Sequence, residues 1–197
     1  AMRAGAAATR ARRPQQLLLL CAVLVSAGLA AVGLAALLVE KEGDDAAFAL
    51  LPADHVIEDH EGFRSVLEGA FEAAEGDDCL VTIGIKPTFP STGYGYLCRG
   101  DELNAENGRV LSRVDRFVEK PDLRKAEDYL KEGTYFWNAG MFVWRPSVIL
   151  SALGKYAPAL ASGLNDLKKD WNASGRLAES MAKVYPSLEK ISIDFAV

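Results

Sequence analysis

Asp54, His55, Glu119, Lys120, Asn138 and Asp194 are the residues whose type and setting can do chemistry in this chain. Asp54 stands just beyond an apolar run, Phe48-Ala49-Leu50-Leu51, closed by Pro52-Ala53. The carboxyl ends of buried strands are where open α/β sheets bind ligands. A carboxylate there suits Mg²⁺, which takes one or two carboxylates and fills its shell with substrate phosphates. It equally suits the capping of the next turn. His55, next to it, reads as a residue that orients the loop. Asp194 is the acid of the terminal Ile191-Ser192-Ile193-Asp194 run, and a two-carboxylate metal site would need it beside Asp54.

Glu119 and Lys120 close the run Phe117-Val118-Glu119-Lys120-Pro121. Adjacent strand residues point to opposite faces, so a mutual ion pair is not expected of them. Glu119 can accept hydrogen bonds from sugar hydroxyls, and Lys120 can meet a phosphate as a point charge. A solvated strand end is the plain alternative. Gly93 and Gly95 flank Tyr94 in Thr92-Gly93-Tyr94-Gly95-Tyr96. Glycine lets backbone approach a ligand closely, and it also serves an ordinary turn. Asn138 lies among aromatic and apolar neighbours in Trp137-Asn138-Ala139-Gly140-Met141-Phe142, where an unpartnered amide is costly. It needs a partner, from the backbone or from a ligand.

The elements that must position these groups alternate along the chain. Residues 48–51, 80–85 and 110–119 read as strands, and 61–74 as an amphipathic helix. Pro87 to Gly95 is a loop by its Pro, Gly, Thr and Ser content. Asp122 caps a helix over 122–132. Tyr135 to Trp144 is strand-like but interrupted at Asn138-Ala139-Gly140. Pro146 opens a helix to Leu153. Residues 156–184 hold one or two further helices with a break near Ser174-Gly175, and 191–194 alternates like a strand. Such alternation argues for an α/β sheet fold.

Half of the 197 residues are hydrophobic and a quarter charged, which excludes a disordered chain. Residues 1–39 carry four arginines and no acid, and the remainder holds 18 basic and 27 acidic residues. That acidic body offers no basic stripe for nucleic acid. Three cysteines at wide spacing, Cys21, Cys79 and Cys98, form neither a disulfide framework nor a zinc site. Leu17 to Val39 lacks charge and, as one helix, would reach about 34 Å at ~1.5 Å per residue, enough for a bilayer core. Its Ala- and Gly-rich second half also suits a helix packed tightly in a core and feeding the strand at 48–51. Both readings stay open on hydropathy.

Taken in order, five motifs closely resemble the mannose-1-phosphate guanylyltransferases, including the type fused to a mannose-6-phosphate isomerase. They are Leu51-Pro52-Ala53-Asp54-His55, Thr92-Gly93-Tyr94-Gly95-Tyr96, Phe117-Val118-Glu119-Lys120-Pro121, Trp137-Asn138-Ala139-Gly140-Met141-Phe142 and Ser192-Ile193-Asp194-Phe195-Ala196-Val197. The resemblance implies a Rossmann-like (GT-A-like) nucleotidyltransferase domain, a mixed sheet flanked by helices. It implies formation of GDP-mannose and pyrophosphate from GTP and α-D-mannose 1-phosphate, with Mg²⁺, in the cytoplasm, and it allows a homo-oligomer. Carried over by position, Asp54 and Asp194 hold the metal, Gly95, Glu119 and Asn138 meet the sugar, and Lys120 the sugar phosphate. Asp54, Lys120 and Asp194 are then the residues at the reacting phosphates.

The chain departs from that pattern at its start. The family's GGxGTRLWPLSR loop and its Pro-Lys-Gln are represented only by Thr9-Arg10 and Arg13-Pro14-Gln15-Gln16. Residues 31–197 therefore read as a partial nucleotidyltransferase domain, incomplete at the N-terminus, and 1–30 as an atypical segment. Two alternatives accompany that reading: an inactive, membrane-anchored remnant or binding module, and a sibling enzyme using another sugar 1-phosphate. In-line phosphoryl chemistry depends on cations and N–H groups around the triphosphate, and one lost donor costs on the order of 10²–10³ in rate. The purified chain is accordingly expected to make no detectable GDP-mannose in a pyrophosphate-release assay. Turnover abolished by Asp54→Ala would show that the N-terminal segment does supply the loop.

Overall fold

The computed structural model describes residues 20–21, 28–43, 45–106, 109–170, 176–188 and 193. Its centre is β6 (Tyr135–Trp144), a ten-residue strand whose side chains are almost all buried or half-buried. Against its C-terminal half lies β2 (Phe48–Leu51), antiparallel, with Phe48 opposite Trp144 and Leu50 opposite Phe142. The two-residue strand β1 (Leu20–Cys21) runs parallel to β2, so the sheet is mixed. β3 (Val81–Ile85) follows the other edge of β6. β4 (Tyr96–Glu106) and β5 (Arg109–Val118) form a long hairpin, whose first strand pairs Tyr96, Leu97 and Cys98 with Trp137, Phe136 and Tyr135.

Period-two alternation decides which helix covers which face. Phe48, Leu50, Phe142 and Trp144 point to one side, where they pack on α1 (Leu29–Lys41), α4 (Pro146–Tyr156) and α5 (Pro158–Asp170). Ala49, Val81 and Val143 point to the other, against Ala70 and Ala74 of α2 (His60–Gly76). A third cluster places Ala126 of α3 (Leu123–Glu132) over Tyr96, Tyr135 and Trp137. The chain continues through α6 (Arg176–Val184) into a 3₁₀ turn at Tyr185–Ser187.

The hydrophobic stretch at Leu17 to Val39 does not form one span. Leu20–Cys21 is a sheet strand, Gly28 precedes the first turn of α1, and α1 itself has 13 residues. Among the described residues no helix is long and apolar enough to cross a membrane. Its small residues serve packing: a Cβ at Gly33 would collide with the Leu164 side chain of α5. The close approach at Gly33 is therefore to the neighbouring helices α5 and α4.

Asp122 caps α3 as its sequence predicts, accepting from the Lys125 amide at 2.9 Å, and Gly133 closes the helix at φ +73°. Asp59 does the same for α2 through the Gly62 amide. The strand expected at 80–85 begins at Val81, and the one expected at 110–119 spans Arg109–Val118. The expected strand at 191–194 lies outside the described residues except for Ile193, which is buried and has helical backbone.

One ionic cluster fixes the entry of β2 to the exit of β6. Asp45 takes hydrogen bonds from the Ser147 amide at 2.9 Å and hydroxyl at 2.6 Å, so it caps α4 from a distance. Arg145 reaches Asp45 at 3.5 Å, Asp78, and the Ala74 carbonyl at 3.1 Å. Partial burial opposes ionisation of Asp45, but the Ser147 hydrogen bonds and the Arg145 charge outweigh it and lower its pKa. A lowered folded pKa stabilises above the ordinary carboxylate value of about 4, and the gain is lost as pH falls through the lowered one. A helix cap is worth about 1 kcal/mol. Asp45→Ala should therefore lower Tm by several degrees at pH 7, with the gap to wild type narrowing as pH falls below the ordinary carboxylate range, as read by circular dichroism.

Candidate functional site

Trp137 is paired on both sides, by Ile85 and by Tyr96, and Val143 likewise, by Val81 and by Ala49. β3 thus runs along one edge of β6, while β2 and β4 share the other, end to end. Between their pairings lies 138–141, where the strand cannot stay regular. Thr82 pairs with Phe142 and Gly84 with Asn138, so two steps along β3 match four along β6. The excess is a bulge, a device that re-aims side chains. Gly140 provides its left-handed turn at φ +65°. The interruption expected at Asn138-Ala139-Gly140 is this bulge within one continuous strand.

Several polar groups in the bulge are paired with one another or with the flanking strands. The Asn138 amide donates to the Gly95 carbonyl at 2.8 Å. The Gly140 amide donates back to Asn138 Oδ1 at 3.2 Å, closing an Asx turn. The Thr82 hydroxyl donates to the same Oδ1 at 2.9 Å and lies 3.3 Å from the Met141 carbonyl. Asn138 thereby finds its partners in backbone and in Thr82, a residue that type and spacing alone do not single out.

Gly95 is buried where the loop enters β4, and only hydrogen fits on its α-carbon. A Cβ there would lie 2.6 Å from Glu119 Oε2 and 2.8 Å from Phe117 Cζ. The structure therefore gathers Gly95, Glu119 and Asn138 at one point. The loop is braced before it arrives. Phe89 and Tyr94 meet the buried Trp137 ring edge-on at 4.9 and 5.2 Å, and the Tyr96 hydroxyl donates to the Ser91 carbonyl at 2.9 Å.

Glu119 and Lys120 form an ion pair at 2.9 Å, contrary to the strand-based expectation. The strand has ended at Val118, and Lys120 takes φ +44°, which turns adjacent side chains toward one another. The Glu119 side chain is 15% exposed and that of Lys120 61%. A nearly buried acceptor therefore stands behind an accessible cation. Asp54 and His55 are exposed beyond β2, at the strand's carboxyl end. Asp194 lies outside the described residues, so its distance from Asp54 is not defined. Among the described residues no cluster of three or more His, Cys, Asp or Glu is arranged to hold a metal.

The nucleotidyl transferase family profile matches residues 14–180. The chain belongs to the nucleotidyl transferase family. Among relatives, the xanthan biosynthesis protein XanB of Xanthomonas campestris pv. campestris (strain B100) is 42% identical over 170 residues, covering 85% of this chain and 34% of that protein. The mannose-1-phosphate guanylyltransferase of Escherichia coli K12 is 37% identical over 166 residues, covering 83% and 32%. A solved structure from Thermus thermophilus, described as a mannose-1-phosphate geranyltransferase, superposes with TM-score 0.71 at 34% identity. It covers 86% of this chain and 46% of that one. This nucleotidyl transferase chain spans about a third of the length of the curated relatives it matches.

Left-handed backbone costs a side-chain-bearing residue roughly 1–2 kcal/mol, and glycine escapes most of it. Lys120→Gly is therefore expected to be more stable than Lys120→Ala by about 1 kcal/mol in urea unfolding. Equal stabilities, or the reverse order, would show that position 120 is unstrained.

Proposed function

We propose that this chain is the sugar-phosphate-binding part of a mannose-1-phosphate guanylyltransferase, which joins GTP and α-D-mannose 1-phosphate into GDP-mannose and pyrophosphate. The observation that carries the reading is the convergence of Gly95, Glu119, Lys120 and Asn138 around the bulge of β6. Relatives named for that activity, at 35–44% identity, support it.

The chemistry follows from the donor set. Glu119 accepts hydrogen bonds from sugar hydroxyls, and the Asn138 amide donates from the end not engaged at Oδ1. Gly95 lets the Glu119 carboxylate stand against the backbone, because no Cβ is there to keep it off, and so sets where that carboxylate meets the sugar. Lys120 places a positive charge by the sugar phosphate and leaves its oxygen free to attack. That oxygen forms the new bond to the α-phosphorus of GTP as the bond to the β-phosphate oxygen breaks, and pyrophosphate leaves. Positioning and charge neutralisation do most of the work in such transfers. A lone exposed carboxylate at a strand end fits the way Mg²⁺ is held with substrate phosphates. Asp54 would hold it, with Asp194 as the second carboxylate, and the ion would neutralise phosphate charge.

Calorimetric titration of the purified chain with mannose 1-phosphate tests this. Affinity is expected to require Mg²⁺, to exceed that for glucose 1-phosphate, and to fall about tenfold in Lys120→Ala or Gly95→Ala, ~1.4 kcal/mol each. Absence of binding, or a preference for glucose 1-phosphate, would overturn the assignment.

A further inference from the structure

Asn138 can present either end of its amide to a ligand, and the two ends have opposite hydrogen-bonding character. Two donors at Oδ1 bear on that choice. The Gly140 amide can only donate, and it sits at 3.2 Å. The Thr82 hydroxyl is closer, at 2.9 Å, and comes from a different strand, 56 residues earlier in the chain. Both fix oxygen inward and NH₂ as the opposite end. Thr82 is half-buried in β3, at the step where the ladder slips past the bulge. Valine has nearly the shape of threonine and suits a strand as well, so it would fill the same half-buried position. Packing alone does not call for the hydroxyl.

We infer that Thr82 is a positioning residue for the sugar site, setting the amide of Asn138 so that its NH₂ faces the substrate. The inference rests on the sugar-phosphate reading above. The same hydroxyl has a second acceptor, the Met141 carbonyl at 3.3 Å. One proton shared between two acceptors favours the nearer. The shorter contact fixes the amide; the longer one keeps a bulge carbonyl near a donor if the amide turns. Thr82 thus couples the shape of the bulge to the polarity that Asn138 offers.

Thr82→Val removes the hydroxyl at nearly constant shape, Thr82→Ser keeps it, and thermal unfolding of each confirms the fold. In ¹⁵N NMR spectra of the unliganded chain, Thr82→Val should shift the Asn138 side-chain NH₂ and the Gly140 amide, and Thr82→Ser should restore both. Unmoved resonances would overturn the inference whether or not any sugar phosphate binds. Affinity for mannose 1-phosphate should fall about fivefold to tenfold in Thr82→Val, the loss of one hydrogen bond's worth of orientation. It should recover to within about twofold of wild type in Thr82→Ser. In an Asn138→Ala background Thr82→Val should have no further effect, because it acts through the missing amide. Additive losses would contradict a positioning role. If wild type itself fails to bind mannose 1-phosphate, the sugar-phosphate reading falls, and the NMR comparison still decides the role of Thr82.

Discussion

A buried strand cannot leave its backbone N–H and C=O groups unpaired, and β6 is asked to do so in its middle. β2 ends and β4 begins along the same edge, so no single neighbour serves residues 138–141 on that side. The groups that answer this demand are the Gly95 carbonyl, the Asn138 side chain and the Thr82 hydroxyl. They satisfy the bulge, and in doing so they come together at the mouth between two strands. The candidate site exists because the sheet must be completed there by side chains and a loop rather than by another strand.

The same logic extends to Glu119 and Lys120. A carboxylate at 15% exposure needs compensation, and the neighbouring ammonium supplies it at the cost of left-handed backbone at Lys120. The pair remains exposed on its cationic side, which is the side a phosphate would meet. In the proposed reading, a sugar phosphate would replace the ammonium's partner while its hydroxyls took over the carboxylate, so neither charge would be stripped of interactions on binding. Gly95 is constrained from both directions. Its carbonyl holds Asn138, and its missing side chain leaves room for Glu119 and Phe117.

Much of this is legible in the residues. The alternation of Phe48 to Leu50 and of Phe142 to Trp144 sets the faces of the sheet, and Asp122 announces its helix. Gly95, Glu119, Lys120 and Asn138 can be picked out by type and setting, though not brought together, because the links from Gly95 to Glu119 and to Asn138 span tens of residues. The Glu119–Lys120 pair escapes the strand argument because strand periodicity ends at Val118, short of both residues. β1 and β4 are the strands without a sequence expectation, although for β4 Asn107-Gly108 between two runs of strand-forming length is a hairpin signal. Thr82 is invisible for a different reason. A threonine in a strand is unremarkable until the register slip beside it is known.

In the proposed function, the bulge of β6 and the residues completing it form a sugar-phosphate site. Chemical-shift mapping of the isotope-labelled chain during titration with mannose 1-phosphate and Mg²⁺ tests it most directly. The account predicts that the largest changes fall on the backbone amides of Gly95, Glu119, Lys120, Asn138 and Gly140, in one saturable process. Changes centred instead on the groove between α5 and α6, around Gly163 and Lys183, would contradict it.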